Sequence, residues 1–238
     1  MKSAQDNPHR DLALLMVFAN DNKSGKNKNN KDYLQSLMLR PGDAEILSFL
    51  EQIQLARNLQ AGLRCYRLRT MCLNVARWLK LEQEQMRQLV FLSYCHGLGK
   101  IGIPDSILLK PSSLTEQEWV KIREYPEVSE LICNQLPGLQ EFAPLVRSHQ
   151  ERLNGTGYPD GLHGEEIPYI VQVFQLVNVA DAIISKRLHR KSNASPGDRP
   201  YWMQAVEELT KEMQEGARDP VLCEKFFRFL ELYYRGGN

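Results

Sequence analysis

Residues His96-Gly-Leu-Gly-Lys-Ile-Gly-Ile-Pro104 form the most informative segment of this 238-residue chain. Leu89 and Leu92 precede His96 by seven and four positions, so the three side chains share one helical stripe. The two glycines that follow predict a close backbone turn with positive φ. We therefore expect an imidazole on the core-facing side of a helix, with Lys100 just beyond its end.

Helical periodicity continues on both sides of this segment. The predicted helices begin at Asp43 and then cover about residues 59–79, 82–96, 116–124, 127–135, 138–151, 169–185, 202–215 and 220–234. A break is expected at Pro126 and a long loop at 153–164. No run alternates with period two, so the predicted fold class is all-α.

The start of the chain differs in composition from the rest. Residues 20–32 read NDNKSGKNKNNKD, a polar run that buries too little apolar surface to offset the entropy of ordering. We predict a disordered or poorly structured tail over residues 1–40 and one helical domain over 41–238.

Charge, hydropathy and cysteine content exclude several classes of protein. Thirty basic and twenty-nine acidic residues give a net charge of +1, which argues against a nucleic-acid or anionic-membrane partner. The sequence has no apolar run long enough to span a membrane. The five cysteines form no CxxC pair, which is typical of reduced thiols and predicts a cytoplasmic protein.

Two further polar residues are predicted on apolar helical faces. His149 and Asn178 each follow apolar residues seven and four positions earlier, as His96 does. Asp181 extends the stripe of Asn178, and a buried carboxylate needs a partner. The candidate partners are Lys100, Arg187 and Arg190. Two interpretations stay open: hydrogen-bonded core residues, or a site built between facing helices.

A second segment, His149-Gln-Glu-Arg-Leu-Asn-Gly-Thr-Gly-Tyr-Pro159, completes a pattern that resembles the HD-GYP family. In this family of HD-superfamily phosphohydrolases, associated with cyclic di-GMP, the motifs read HDxGKIGIP and HHExxDGxGYP. Further matches in the same order are Leu109-Lys-Pro111, Leu114-Thr115, Tyr125-Pro-Glu127, Gly164-Glu-Glu-Ile-Pro168 and Asp181-Ala182. The resemblance implies an HD-domain-like helical bundle with an HD-GYP C-terminal extension.

The resemblance also implies a centre of two or three iron- or manganese-type ions, most of whose ligands are replaced here. The replacements are Tyr66 at the early histidine, Gly97 at the HD aspartate, Tyr125 at the "HP" histidine, Gln150 at the second HH histidine and Asn178 at the late aspartate. Bridging two hard cations requires an anionic oxygen, which glycine lacks. We expect no cofactor, or at most one weakly bound iron or manganese ion at the vestigial ligands His96, His149 and Asn178.

Other matched positions imply ligand and partner contacts. By resemblance, Lys100, Asp181, Arg187 and Arg190 lie near the phosphates or bases of cyclic di-GMP, and Lys100 and Asp181 would be catalytic in an active enzyme. A solvated basic turn is the competing interpretation. The loop Gly157-Tyr158-Pro159 matches a loop tied to contacts with GGDEF domains. Gly157 would permit an unusual φ, and a purely structural turn is the alternative.

Three hypotheses about function remain. The first is a non-hydrolytic protein of cyclic di-GMP signalling that binds a GGDEF-domain protein, another signalling protein or the nucleotide. The second is an active metal-dependent phosphodiesterase with an altered centre, and the third is a helical scaffold without a ligand. The loss of anionic metal ligands favours the first.

Overall fold

The computed structural model describes residues 40–57, 59–190 and 200–235, except for the side chains of 57, 59–60, 186–190 and 201. Contacts between Cα atoms divide the chain into two units, Met1–Ser48 and Phe49–Asn238. The polar residues singled out above belong to the second unit. The predicted tail lies outside the described residues apart from Arg40, so the tail and its boundary at residue 41 stay predictions.

The described chain is helical. Its α-helices are α1 (Asp43–Arg57), α2 (Leu59–Trp78), α3 (Gln83–Cys95), α4 (Asp105–Leu108), α5 (Glu116–Arg123), α6 (Tyr125–Gln135), α7 (Ala143–Arg147), α8 (Tyr169–Arg190), α9 (Tyr201–Gln214) and α10 (Pro220–Arg235). Short 3-10 helices lie at Leu98–Gly102, Gln140–Phe142, Ser148–Gln150 and Gly164–Glu166. The described ranges contain no β-strand, which confirms the all-α prediction. None of these helices is long and apolar enough to cross a bilayer.

Helix α8 forms the centre of the core because it is apolar around much of its circumference. It packs against α2, α3, α9 and α10, and its residues Val171, Phe174 and Val177 are fully buried. Burial of one such side chain contributes about 1.5–3 kcal/mol. A helix enclosed in this way places its polar residues against neighbouring helices, so Asn178 and Asp181 must find partners there.

Two predicted boundaries differ from the structure, each near a proline. The helix expected over 138–151 is divided into two 3-10 helices flanking the short helix α7, because Pro144 lies in the first turn of α7 and has no N–H to continue a preceding helix. The helix break expected at Pro126 lies at Glu124, between α5 and α6, and Pro126 itself lies in the first turn of α6, where its missing N–H costs nothing.

Candidate functional site

Two buried histidines form the centre of a polar cluster. His96 caps the C-terminus of α3 and His149 lies in the 3-10 helix Ser148–Gln150. Their side chains come from segments about fifty residues apart in sequence, yet the ring centroids are only 5.6 Å apart, edge to face. Phe174 of α8 packs against both rings. The fold therefore brings the two motif histidines together over an apolar side chain.

His149 is held by a chain of hydrogen bonds that fixes its tautomer. Its Nδ1 lies against the carbonyl oxygen of Val146, which can only accept, so Nδ1 carries the proton. Its Nε2 then accepts from the hydroxyl of Tyr125 at 2.7 Å. Gln150 Nε2 in turn donates to the Tyr125 oxygen at 2.8 Å. The lone pair of His149 Nε2 is thus engaged by a tyrosine that itself stands at a predicted ligand position.

Both histidines are neutral in the folded protein. Burial lowers the pKa of His149 to about 3 and lowers the pKa of His96 well below its usual value. The positive charges of Lys100 and Arg64 act on both rings in the same direction. His96 Nδ1 donates to the Leu92 carbonyl at 3.2 Å, so its Nε2 is the ring atom that retains a lone pair for other contacts.

The neutral state of His149 predicts that the protein is less stable in acid. The unfolded chain binds a proton on this side chain near pH 6.5, the folded chain only near pH 3, so stability is lost as the pH falls through that window. At pH 5, His149 alone should lower the free energy of unfolding by about 2 kcal/mol relative to pH 8. Urea denaturation at both pH values should show a smaller difference for His149→Gln than for the wild type. If the free energy of unfolding changes between pH 5 and pH 8 by the same amount in both proteins, the lowered pKa assigned to His149 is contradicted.

Asn178 and Asp181 pair with two arginines of helix α2. Arg67 donates to both oxygens of Asp181, at 2.8 and 3.4 Å. Arg64 Nη2 donates to Asn178 Oδ1 at 2.9 Å, and Arg64 Nε lies 3.8 Å from Asp181 Oδ2. The predicted partners of Asp181 were Lys100, Arg187 and Arg190. The described contacts of Asp181 are with α2, whereas the side chains of Arg187 and Arg190 lie outside the described residues, so their pairing with Asp181 stays a prediction.

Arg64 and Arg67 are the two residues of this cluster that sequence reasoning missed. The early histidine position was assigned to Tyr66, but the Tyr66 ring lies under the Arg69 guanidinium, and Arg64 makes the contact with Asn178. A signal was present in the spacing. Arg64 and Arg67 are three residues apart on α2, and Asn178 and Asp181 are three apart on α8. Equal spacing on two packed helices allows two polar pairs to form side by side.

Lys100 lies beside the histidines rather than against Asp181. It belongs to the 3-10 helix Leu98–Gly102, and its Nζ is 4.8 Å from the centroid of the Tyr125 ring. An ammonium group over an aromatic face is attracted to the ring, here one whose hydroxyl reaches His149. Its predicted role as a ligand or catalytic residue stays a prediction.

The glycine turn after His96 is needed for close packing and not for positive φ, contrary to the prediction. Gly97 has φ −105°, and a Cβ added there would meet nothing within 4 Å. A Cβ on Gly99 would lie 2.1 Å from the Tyr125 carbonyl oxygen. The Gly99 N–H donates to Ser129 Oγ at 2.7 Å, so this turn is packed directly on α6.

The second motif forms a loop whose backbone is hydrogen-bonded to the side chain of Glu151. This carboxylate is fully buried and accepts hydrogen bonds from the backbone N–H groups of Asp160, Gly161 and Leu162, at 2.7, 3.2 and 3.0 Å. Gly157 was expected to permit an unusual φ, but it is not among the residues with positive φ; a Cβ there would instead lie 2.3 Å from the Glu151 Cα. The loop is therefore closely packed on the carboxylate that holds it.

Tyr158 and Pro159 connect this loop to the cluster. The peptide bond between them is cis. The half-buried Tyr158 ring packs on the apolar group of Ile103, Ile107 and Tyr125. The predicted partner contacts of Gly157, Tyr158 and Pro159 remain untested. Tyr125 contacts both this loop, through Tyr158, and the histidine cluster, through His149.

Comparison with known proteins identifies the family of the chain. A model of the family described as the HD domain matches residues 45–215, a range that includes both motifs and both arginines of α2. The chain belongs to the HD domain family. The family resemblance predicted from the two motifs is thereby confirmed.

Several relatives of this HD domain protein are named phosphodiesterases. The cyclic di-GMP phosphodiesterase response regulator RpfG of Xanthomonas campestris is 39% identical over 120 residues, 50% of this chain and 32% of that protein. A cyclic di-GMP phosphodiesterase of Thermotoga maritima is 27% identical over 186 residues, 77% and 48% of the two chains. The 3'3'-cGAMP-specific phosphodiesterase 2 of Vibrio cholerae is 30% identical over 154 residues, 64% and 30%. The chain spans less than half the length of each of these relatives.

The donor atoms of the cluster do not fit the metal centre that the HD-GYP resemblance implies. His149 Nε2 and Asn178 Oδ1 are already engaged by Tyr125 and Arg64. The Arg64 guanidinium, next to these donors, would repel a divalent cation. Within the described ranges, no group of three His, Cys, Asp or Glu side chains could hold a metal ion.

Proposed function

We propose that this HD domain protein is non-hydrolytic and acts by binding in cyclic di-GMP signalling. The observation that carries the proposal is the hydrogen bond from Arg64 to Asn178, because it puts a fixed positive charge among the predicted metal ligands. The link to cyclic di-GMP is supported by the names of the relatives.

Hydrolysis of a phosphodiester in a metal-dependent site requires a nucleophile and charge neutralisation. A bound cation supplies both when it lowers the pKa of a coordinated water and contacts the phosphoryl oxygens. In this chain Gly97 offers no side chain, Asn178 is neutral, and the carboxylate of Asp181 is held by Arg67. The cluster therefore lacks a free anionic ligand from these positions, whereas its cationic side chains still suit an anionic ligand.

The proposed binding partners follow from the two motifs. The loop Gly157-Tyr158-Pro159 is proposed to contact a GGDEF-domain protein or another signalling protein, and the histidine cluster to contact the nucleotide. We place the protein in the cytoplasm, with residues 1–40 as a tail and 41–238 as the binding domain. All five described cysteines are buried and unpaired by disulfides, in keeping with a reducing compartment.

Metal content and hydrolysis test the proposal directly. The full chain, purified without oxygen, should contain no stoichiometric iron or manganese, and should not cleave cyclic di-GMP or 3'3'-cGAMP when either metal is added. Stoichiometric metal together with turnover to a linear dinucleotide or GMP would refute it and support an active phosphodiesterase.

A variant designed to regain ligands shows that the metal analysis can detect binding. Arg64→His, Gly97→Asp and Asn178→Asp together remove one cation and add two carboxylates, and the space beside Gly97 is open. The triple variant is expected to take up manganese or ferrous iron when the wild type does not. Equal uptake of metal by the wild type and the triple variant would contradict the proposal that Arg64 prevents metal binding.

A further inference from the structure

A network of buried polar side chains connects the second motif to the turn between α9 and α10. Its members Gln175 of α8, Glu212 of α9 and Arg218 of the turn are 4%, 8% and 8% exposed. Arg218 Nη1 donates to Gln175 Oε1, and Arg218 Nε donates to Glu212 Oε2 at 2.9 Å. Gln175 Nε2 donates to the backbone carbonyl of Glu151 at 2.8 Å. Arg152, the next residue, donates to Glu212 Oε1 at 3.1 Å, so the network returns to the motif from which it starts.

Arg218 determines the orientation of the Gln175 amide. A guanidinium group carries N–H donors and no acceptor, so the amide oxygen faces Arg218 and the amide nitrogen faces Glu151. The reversed amide would place two oxygen atoms opposite each other at Glu151 and two N–H groups opposite each other at Arg218. Because a hydrogen bond from a charged donor is stronger than a neutral one, the bond from Arg218 favours the orientation that supplies Glu151. Arg218 therefore acts on Glu151 through the amide of Gln175.

Glu151 extends this constraint to the motif, because it is hydrogen-bonded at both its backbone and its side chain. Its carbonyl oxygen accepts from Gln175, whereas its carboxylate accepts from the N–H groups of residues 160–162. Tyr158 and Pro159 lie in sequence between Glu151 and those N–H groups. The position of this segment therefore depends on where the backbone of Glu151 is held.

We infer that Arg218 is a positioning residue for the loop at residues 157–162, and that it acts through Gln175 and Glu151. It keeps this loop in one conformation, with the Tyr158 ring packed on the apolar group described above. A surface that is ordered before it meets a partner loses less entropy on binding. The inference rests on the proposed function in one respect, because this loop is the segment proposed to contact a protein partner. Its test needs no partner.

Amide hydrogen exchange of the full chain, followed by NMR, tests this role. Exchange rates at residues 160–162 are measured in the wild type, Arg218→Met, Gln175→Leu and the double variant. We expect each single variant to speed exchange at these amides about tenfold or more, because a buried hydrogen bond of the network is lost. In the Gln175→Leu background, Arg218→Met should change the same rates by less than about twofold, because the amide through which Arg218 acts is absent.

The double variant separates positioning from general support of the fold. If Arg218 only stabilised the fold, Arg218→Met would speed exchange by the same factor in both backgrounds, and that result overturns the inference. Unchanged exchange at residues 160–162 in Arg218→Met overturns it as well. Arg228→Met, at an exposed arginine of α10, is the matched control and should leave these rates within about twofold of the wild type.

A second variant covers the case in which Arg218→Met does not fold. Arg218→Lys keeps a cation beside Glu212 but lacks the fork of donors that also reaches Gln175, so the same pattern of rates is expected. Metal content and hydrolysis are measured separately from exchange. Failure of this inference therefore leaves the proposed function standing, and hydrolysis by the wild type would refute the proposed function without changing the exchange result.

Discussion

Gly99→Ala should destabilise the protein by about 3 kcal/mol, the upper end of the usual cost of overpacking. The added Cβ would lie 2.1 Å from the Tyr125 carbonyl oxygen and 2.6 Å from the Ser129 backbone nitrogen. Both are backbone atoms of α6, so relief requires that the turn and the helix separate. The same shift would weaken the hydrogen bond from the Gly99 N–H to Ser129 Oγ. Urea denaturation followed by circular dichroism gives the free energy of unfolding.

Gly97→Ala is the matched control, two residues earlier in the same turn. Its Cβ meets nothing within 4 Å, and a φ of −105° is accessible to alanine. Its stability should stay within about 0.5 kcal/mol of the wild type. If both variants lose the same stability, the packing of Gly99 on α6 is not the reason that the turn requires glycine.

Glu151→Ala should lower the free energy of unfolding by about 3 kcal/mol, because it removes the buried acceptor of three backbone N–H groups. Bonds to a charged acceptor are stronger than neutral ones, and alanine would leave a cavity beneath the loop. Hydrogen exchange at Asp160, Gly161 and Leu162 should become faster along with the loss of global stability. A stable variant with unchanged exchange would contradict the role assigned to Glu151.

Two controls separate this role from a general effect of charge. Glu165→Ala removes an exposed carboxylate near the same loop and should change stability by no more than about 0.5 kcal/mol. Glu151→Gln keeps one acceptor oxygen and should lie between the wild type and Glu151→Ala. A loss in Glu165→Ala as large as that in Glu151→Ala would point to net charge instead of the buried hydrogen bonds.

Sequence periodicity was sufficient to place the histidines. His96 and His149 each follow apolar residues at helical spacing, and both are buried, 4% and 1% exposed. The reason is local: a residue four or seven positions along a helix must share the face of its predecessor. For His149 the face was right although the predicted long helix is divided near Pro144: Phe142 and Leu145, seven and four positions earlier, are buried as well.

The contacts across helices could not be predicted in the same way. Arg64 and Arg67 are charged residues, which are mostly exposed, so the spacing that they share with Asn178 and Asp181 becomes informative only once α2 and α8 are known to pack together. The burial of Glu151 was not predicted for the same reason, although this side chain is fully buried and accepts hydrogen bonds from three backbone N–H groups. Lys100 follows the histidine in sequence but contacts Tyr125 of α6, a meeting that only the tertiary packing determines.

The contact between Arg64 and Asn178 has a consequence for the cell that contains this protein. A metal ion can be withdrawn by starvation, exchanged for another element or oxidised, and a site that depends on one changes with the iron and oxygen supply. A guanidinium group is part of the polypeptide and is present in every copy from the moment of synthesis. If the cluster acts without a metal, as proposed, a response mediated by it is independent of metal supply and of the redox state of iron.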